Sequence, residues 1–265
     1  MKIAVAGVSG RMGQMLLKAV EEAEGAELSG AIERPDHDWV GQDLGDLCGM
    51  GRGVTVSGDA AQGIAGADAV VDFTAPAATV ALSKVCAEAG VAHVIGTTGL
   101  TDDDIAAIDA AGQKIAIVRA GNMSLGVNLL TSLVERVAAS LGLEYDIEIV
   151  EAHHRHKVDA PSGTALMLGE AAAKGRGVAL DEVADRARDG ITSERQPGAI
   201  GFHAVRGGSI IGEHDVVFAG PGETLTLRHV ANDRALFAKG AVRAALWTEG
   251  RAPGHYDMVN VLGLD

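Results

Sequence analysis

The chain has 265 residues, 47% of them hydrophobic and only 3% aromatic, so its cores must be built from Ala, Val, Leu and Ile, as in parallel sheets covered by helices. That length buries one large core or two modest ones without disulfide staples, and two domains are expected. A formal charge of −14 argues against a general nucleic-acid binder, which needs a broad basic surface for counterion release.

Cys48 and Cys86 lie too far apart in sequence for a metal or redox motif and read as free thiols of a reducing compartment. Met1 leads directly into a strand pattern, and no apolar run reaches the ~18 residues of a membrane span. A cytoplasmic protein with no membrane attachment is expected.

In chain order, Ile3 to Ala6 reads as a strand and Gly7-Val8-Ser9-Gly10-Arg11-Met12-Gly13 follows at once, opening a helix to about Glu24. The GxxGxxG spacing has one more residue in its first turn than the GxGxxG dinucleotide fingerprint, so the spacing alone is weak. Its position is what a pyrophosphate held at a helix N-terminus requires. A glycine-rich turn that only closes strand on helix is the competing reading. Glu27 to Ile32 is the second strand. Glu33, about 20 residues beyond Gly13, stands where an acid accepts from a ribose 2′-hydroxyl, which favours NAD. Arg34 could instead pair with a 2′-phosphate. Use of both NADH and NADPH is therefore expected.

A Gly/Asp-rich loop runs to Gly53, followed by a short strand at Val54 to Val56. The apolar run Ala69 to Phe73, the helix Ala77 to Ala89, the strand Ala92 to Ile95, the helix Asp102 to Ala111 capped by Thr101, and the strand Ile115 to Val118 have the cadence of a doubly wound parallel sheet. Gly96-Thr97-Thr98-Gly99 and Ala120-Gly121-Asn122-Met123 fall at carboxyl ends of its strands. Their small residues let a nicotinamide and its ribose approach, although as isolated tetrapeptides they are ordinary turns.

After Ser124 the pattern changes to a helix from Val127 to about Leu141, a strand Asp146 to Val150, and the segment Glu151 to Ala165. A helix Ser162 to about Lys174 comes next. The Arg- and Asp-rich stretch 176–197 reads as a flap or a surface loop. Ile200 to Val205, Ser209 to Phe218 and Glu223 to Val230 are consecutive strands, which implies a mixed or antiparallel sheet. Ala235 to Glu249 returns to helical spacing and is expected to pack back on the first domain. The divisions expected are 1–124 with 234–265, and 125–233.

Glu151 to Ala165 is the most informative stretch, holding three of the nine histidines. His153, His154 and His156 interleave with Arg155 and Lys157, and Pro161-Ser162-Gly163-Thr164 then opens a helix. Histidine titrates near neutrality, lysine is a compact cation, and a helix N-terminus offers fixed dipoles to a carboxylate or phosphate. A solvated face or a nucleic-acid contact is the ordinary reading of such a run. A strand-to-helix connection is where sites sit in open α/β sheets. No metal is expected, because Arg155 and Lys157 would repel a cation and no Cys or further carboxylate completes a ligand set.

Taken together, GVSGRMG at Gly7 to Gly13, Glu33-Arg34, Val71-Asp72-Phe73-Thr74, IGTTG at Ile95 to Gly99, AGNMSLGVN at Ala120 to Asn128, EAHHRHKVDAPSGTA at Glu151 to Ala165 and the tail Gly240 to Arg243 resemble the dihydrodipicolinate reductase family, now called 4-hydroxy-tetrahydrodipicolinate reductases, of bacterial diaminopimelate and lysine synthesis. The resemblance spans nearly the whole chain. It implies an N-terminal Rossmann-type doubly wound parallel sheet completed by the last segment, an inserted α+β substrate-binding and oligomerisation domain with a mixed sheet, and a homotetramer assembled through those mixed sheets. By the same resemblance, NAD(P) contacts fall on Gly7, Val8, Ser9, Gly10, Arg11, Met12, Glu33, Arg34, Gly96, Thr97, Thr98, Ala120, Gly121, Asn122 and Met123. His153 becomes the proton donor or acceptor, Lys157 the second donor, and His154, Gly163 and Thr164 substrate contacts.

The residue chemistry agrees with a small dicarboxylate substrate. One carboxylate can sit on the Ser162-Gly163-Thr164 helix start while Lys157 and a neighbouring histidine meet the rest. Closure of the two domains, with hinges near Ser124 and near Asn232 to Arg234, is expected to accompany hydride transfer. Two other readings stay open. One is another two-domain Rossmann oxidoreductase, although an acylating semialdehyde enzyme wants a nucleophilic Cys with a nearby base, which neither cysteine has in sequence. The other is an NADH-holding sensor without turnover, which has no need of the residues from His153 to Thr164.

Overall fold

The computed structural model describes residues 1–186 and 188–264. Two compact units emerge, one formed by Met1–Leu125 with Ala235–Gly263 and the other by Gly126–Arg234.

The first unit alternates β1 (Lys2–Ala6), α1 (Arg11–Glu22), β2 (Glu27–Ile32), α2 (Leu44–Cys48), β3 (Val56–Ser57), α3 (Ala60–Gly63), β4 (Ala69–Asp72), α4 (Pro76–Ala89), β5 (Ala92–Ile95), α5 (Asp102–Gly112) and β6 (Ala116–Arg119). The last segment returns as α9 (Ala235–Trp247), β12 (Gly254–Tyr256) and α10 (Met258–Leu262). Its seven strands lie in the order β12-β6-β5-β4-β1-β2-β3 with every pairing parallel. Strands added after β1 go first to one side and then to the other, so the winding direction reverses between β1 and β4. That reversal opens a crevice at the strands' carboxyl ends.

Strand pleating explains why both faces are apolar. Ile3 and Val5 enter one core with Leu16, Leu17 and Val242, while Ala4 and Ala6 enter the other with Leu82, Cys86 and Ile108. All of β4 and β5 is buried, as a central parallel strand covered by helices requires. Thr101 caps α5 with a reciprocal box to Asp104, which satisfies two backbone donors at the helix start. Both cysteines are free. Burial, reinforced by Asp72, pushes the Cys86 thiol up to about 12, so it carries no nucleophilic chemistry near neutrality.

Some elements differ from expectation. The Gly/Asp-rich loop contains α2, started by Asp43 accepting from the Gly45 N–H. Neither α3 nor the tail pieces β12 and α10 were foreseen, because elements this short show no full period. β12 pairs with β6 and extends the sheet.

The second unit contains α6 (Leu125–Ser140), β7 (Asp146–His153), α7 (Gly163–Gly175), α8 (Leu180–Val183), β8 (Ala184–Asp185), β9 (Ile200–Arg206), β10 (Gly212–Ala219) and β11 (Thr224–Ala231). Its five strands are ordered β11-β10-β7-β9-β8. The sheet is mixed: β9 runs parallel to β7 and β8, and β10 antiparallel to β7 and β11. One face packs on α6 and α7, with Ile147, Ile149, Phe202 and Phe218 against Leu130, Val134 and Leu168. A Cβ on Gly169 would run into the Phe202 ring, so the missing side chain is what lets α7 lie this close.

Two corrections matter for the site. β7 does not stop at Val150 but continues through Glu151 to His153, so the first histidine stands on a strand and not in a loop. The 176–197 stretch is not structureless either. It holds α8 and β8, and Arg195 donates to Asp146 and Glu148 on β7. Ala187, in the same stretch, lies outside the described residues. Among the described residues no helix is long and apolar enough to cross a membrane.

Candidate active site

In the first unit the glycine-rich turn joins β1 to α1 at the winding reversal. Gly7 has φ +71° and a Cβ there would press on Thr74 Cγ2, so a side chain is excluded on two grounds. A Cβ on Gly13 would collide with the Gly7 carbonyl, which explains why the third glycine lets helix and strand pack. α1 starts at Arg11 with Gly10 as N-cap and no side chain capping it. Its first-turn N–H groups therefore keep their capacity for an anion. Met12 packs against the core, and Val8 is fully buried, main chain included, with its N–H donating to the Ile32 carbonyl, so the structure does not bring Val8 to the surface of this turn.

Glu33 sits at the carboxyl end of β2 and reaches this turn. Its Oε2 accepts from the Ser9 N–H at 3.1 Å and from the Ser9 hydroxyl at 2.7 Å, while Oε1 accepts from the Arg34 N–H at 3.0 Å. Burial raises the carboxyl, but these hydrogen bonds outweigh it and hold the group below its ordinary range. A cavity of about 530 Å³ opens here, lined by Gly7, Ser9, Gly10, Glu33, Arg34 and Thr74 among others.

Gly96 to Thr98 and Ala120 to Met123 follow β5 and β6 and do not line that cavity. A Cβ on Gly96 would strike the Phe73 ring. Thr97 is turned inward, accepting from the Thr79 hydroxyl at 2.8 Å, whereas Thr98 and Gly121 are exposed. Asn122 Oδ1 accepts from the Ser124 N–H at 2.8 Å. Met123 is in the core, and its carbonyl would meet any Cβ on Gly240 of α9.

In the second unit one carboxylate organises the site. Glu151, 1% exposed, follows Ile147 and Ile149 on the inward phase of β7. Its Oε2 lies 2.6 Å from His153 Nδ1, and its Oε1 accepts from the Ser162 N–H at 3.0 Å. Arg206, at the end of β9, donates to both oxygens at 2.7 and 2.6 Å. Burial raises the Glu151 carboxyl, and the Arg206, His153 and Ser162 bonds more than reverse that, so it stays ionised.

Ser162 is the N-cap of α7, its hydroxyl oxygen accepting from the Ala165 N–H. The same oxygen lies 3.1 Å from His214 Nε2. The His153 and His214 rings meet edge to face, 5.1 Å between centroids. Burial first, and then His153, pushes His214 down to about 4. Gly163 opens α7 with empty space where a Cβ would stand. Lys157 Nζ pairs with Asp159 Oδ1 at 2.9 Å, and Arg206 also donates to the Asp159 carbonyl. Desolvation, then the Arg234 charge, lowers His154.

The structure thus gathers His153, Ser162 and the start of α7 around Glu151. Arg155 and His156 are exposed. Sequence reasoning missed Arg206, His214 and the part played by Glu151. A signal existed for His214, which shares the inward phase of β10 with Val216 and Phe218. Ending β7 at Val150 concealed the same phase for Glu151. Among the described residues no group of three or more His, Cys, Asp or Glu could hold a metal ion.

Family models decide the lineage. The model described as dihydrodipicolinate reductase, N-terminus, matches residues 1–123, and the one described as dihydrodipicolinate reductase, C-terminus, matches residues 126–262. The chain belongs to the dihydrodipicolinate reductase family. It is 62% identical over 263 residues to the 4-hydroxy-tetrahydrodipicolinate reductase of Ruegeria pomeroyi, covering 99% of this chain and 98% of the relative. The corresponding reductase of Bradyrhizobium diazoefficiens is 55% identical over 265 residues, covering 100% and 98%. Among solved structures, the dipicolinate-bound dihydrodipicolinate reductase from Paenisporosarcina sp. TG-14 superposes with a TM-score of 0.74 at 26% identity, covering 98% of each chain. An amine dehydrogenase from Mycobacterium smegmatis, at TM-score 0.60 and 18% identity over 96% and 94%, shares the fold alone. Members of the dihydrodipicolinate reductase family are oxidoreductases, and so is this chain.

Proposed function

We propose that this chain catalyses the NAD(P)H-dependent reduction of 4-hydroxy-tetrahydrodipicolinate (dihydrodipicolinate) to tetrahydrodipicolinate in lysine and diaminopimelate biosynthesis, with nucleotide on the first unit and dicarboxylate on the second. The observation that carries this reading, in a chain of this family, is the single carboxylate of Glu151 holding both the His153 imidazole and the first residue of the α7 start.

The first unit fits a dinucleotide. The left-handed Gly7 and the close-packed Gly13 bring backbone to where a pyrophosphate lies, and the uncapped start of α1 faces that position. Ser9, Gly10, Arg11 and Met12 complete the turn, and the loops at Gly96 to Thr98 and Ala120 to Met123 serve the nicotinamide half. Bound reduced nicotinamide supplies the hydride. Glu33 retains lone pairs for a ribose hydroxyl, and exposed Arg34 beside it suits a 2′-phosphate, so both NADH and NADPH serve.

In the second unit one substrate carboxylate binds at Gly163 and Thr164, where the helix dipole favours an anion, and His154 flanks the ring. Lys157 exchanges part of its contact with Asp159 for the substrate and stabilises charge developing there. When the conjugated ring accepts the hydride, its displaced electron pair takes a proton from His153 Nε2. His214, neutral near pH 7, binds Ser162 without adding positive charge. The second unit also assembles a homotetramer. Its open sheet face carries Val205 and Val230 in one register row with Ala152 and Glu213, and a second copy covers such a row.

Nucleotide oxidation, followed spectrophotometrically with the condensation product of pyruvate and aspartate semialdehyde, tests the reading. Turnover is expected with both NADH and NADPH, at efficiencies within about a thousandfold, roughly 4 kcal/mol. A wider gap removes the dual-nucleotide reading. Nucleotide binding without oxidation selects a sensor and ends the enzymatic one.

A further inference from the structure

We propose that Glu151 is the positioning residue of the proton-donating site, fixing His153 as the Nδ1–H tautomer so that Nε2 is the nitrogen that exchanges a proton with substrate. The inference rests on the reading of His153 as the donor.

An ionised carboxylate only accepts, so the nitrogen 2.6 Å from Glu151 Oε2 must carry hydrogen. A buried carboxylate is tolerated only when its lone pairs are met. Here they are, by both Arg206 Nη atoms, the Ser162 N–H and His153. The bidentate Arg206 clamp removes the freedom Glu151 would need to leave Nδ1. Arg206 also donates to the Asp159 carbonyl, and Asp159 holds Lys157. One chain of bonds thus runs from the imidazole to the ammonium.

The other ring nitrogen is left approachable. Gly212 is the nearby backbone, and a Cβ there would stand 3.1 Å from His153 Nε2. The His153 side chain is 11% exposed, which leaves a narrow opening for substrate.

The charged and titratable groups around His153 come from every packed element. Glu151 comes from β7 itself, Arg206 from β9, His214 from β10, and His154 and Lys157 from the segment that follows β7. His229 of β11 acts on His214. Glu151 is the anion in direct contact, its Oε2 lying 2.6 Å from His153 Nδ1, while Arg206 pairs with Glu151 and Lys157 with Asp159. In the reaction the Nε2–H bond breaks, the proton goes to the ring atom bearing the displaced electron pair, and His153 is left as the neutral Nδ1–H imidazole. Water then returns the proton.

Glu151→Gln keeps the shape and removes the charge. We expect kcat to fall about tenfold or more with KM little changed, and the alkaline limb of the kcat profile to move about one unit toward lower pH. Glu151→Asp should restore the position of that limb. In a His153→Ala background the Glu151→Gln loss should largely vanish, because the two act as one device. An unmoved limb, or equal losses in both backgrounds, overturns the proposal while leaving the reductase activity of the unmodified enzyme to stand on its own assay. Should Glu151→Gln not fold, nitrogen NMR of histidine-labelled wild-type protein decides. The neutral Nδ1–H form of His153 supports the proposal, and the Nε2–H form overturns it.

Discussion

The two units build their functional surfaces from different material. In the first, the turn after β1 is a backbone surface, where Gly7, Gly10 and Gly13 act by lacking side chains and lie in one continuous segment, with Glu33 and Arg34 added from the end of β2. In the second it is side chains that meet across strands, Arg206 lying 55 residues from Glu151 and His214 lying 52 from Ser162. A backbone surface tolerates no added atom but does not depend on strand register. A side-chain surface depends on register, because slipping β7 by one residue would turn Glu151 and His153 to the opposite face.

The largest effect that sharpens this contrast is chemical. His153→Ala should lower kcat roughly 10²-fold or more with KM little changed. Wild-type turnover in steady-state assays of that variant would remove His153 from the proton transfer.

Next comes pH. Burial pushes His214 down to about 4, below the ordinary value of 6.5 it regains on unfolding. Between those values the unfolded chain binds the extra proton, so the stability linked to His214 is fully present above about pH 6.5 and is lost as pH falls toward 4. Across that window the loss is on the order of 3 kcal/mol. Urea unfolding of wild type and His214→Asn at matched pH values checks it. The variant should lose that part of the slope, and identical slopes would refute the assignment.

The smallest effects contrast two glycines. Gly13→Ala places a Cβ against the Gly7 carbonyl and should destabilise by about 1 to 3 kcal/mol while weakening nucleotide binding. Gly163→Ala puts its Cβ in open space. It should leave the melting temperature nearly unchanged and raise KM for the dicarboxylate. Equal tolerance at both positions, in melting temperature and in both binding constants, would erase the distinction between a packed glycine and an open one.

Much of the first unit was legible because its signals are local. The run Ala69 to Phe73 has the pattern of a strand buried on both faces, Thr101 marks the cap of the helix that follows it, and the glycines stand between a strand and a helix. The short pieces α2, α3 and β12 were not, since a few residues cannot show a period. The site of the second unit was legible in its residue types but not in its wiring. His153 and Ser162 stood out in the basic segment. Glu151 and His153, being polar, broke the alternation that would have carried β7 past Val150.

By itself, then, the amino-acid order determined the alternating elements, the glycine turn, the helix start near Ser162 and the crowding of imidazoles and cations after β7, all of which depend on neighbours within a few residues. Only the tertiary structure decided the strand orders, the return of β12 beside β6, and the meeting of Arg206 and His214 with the end of β7. The physical reason is that a buried carboxylate needs partners to offset its lost hydration. For Glu151 they come from β7, β9 and the start of α7, which only the folded sheet and its covering helix bring within hydrogen-bond reach.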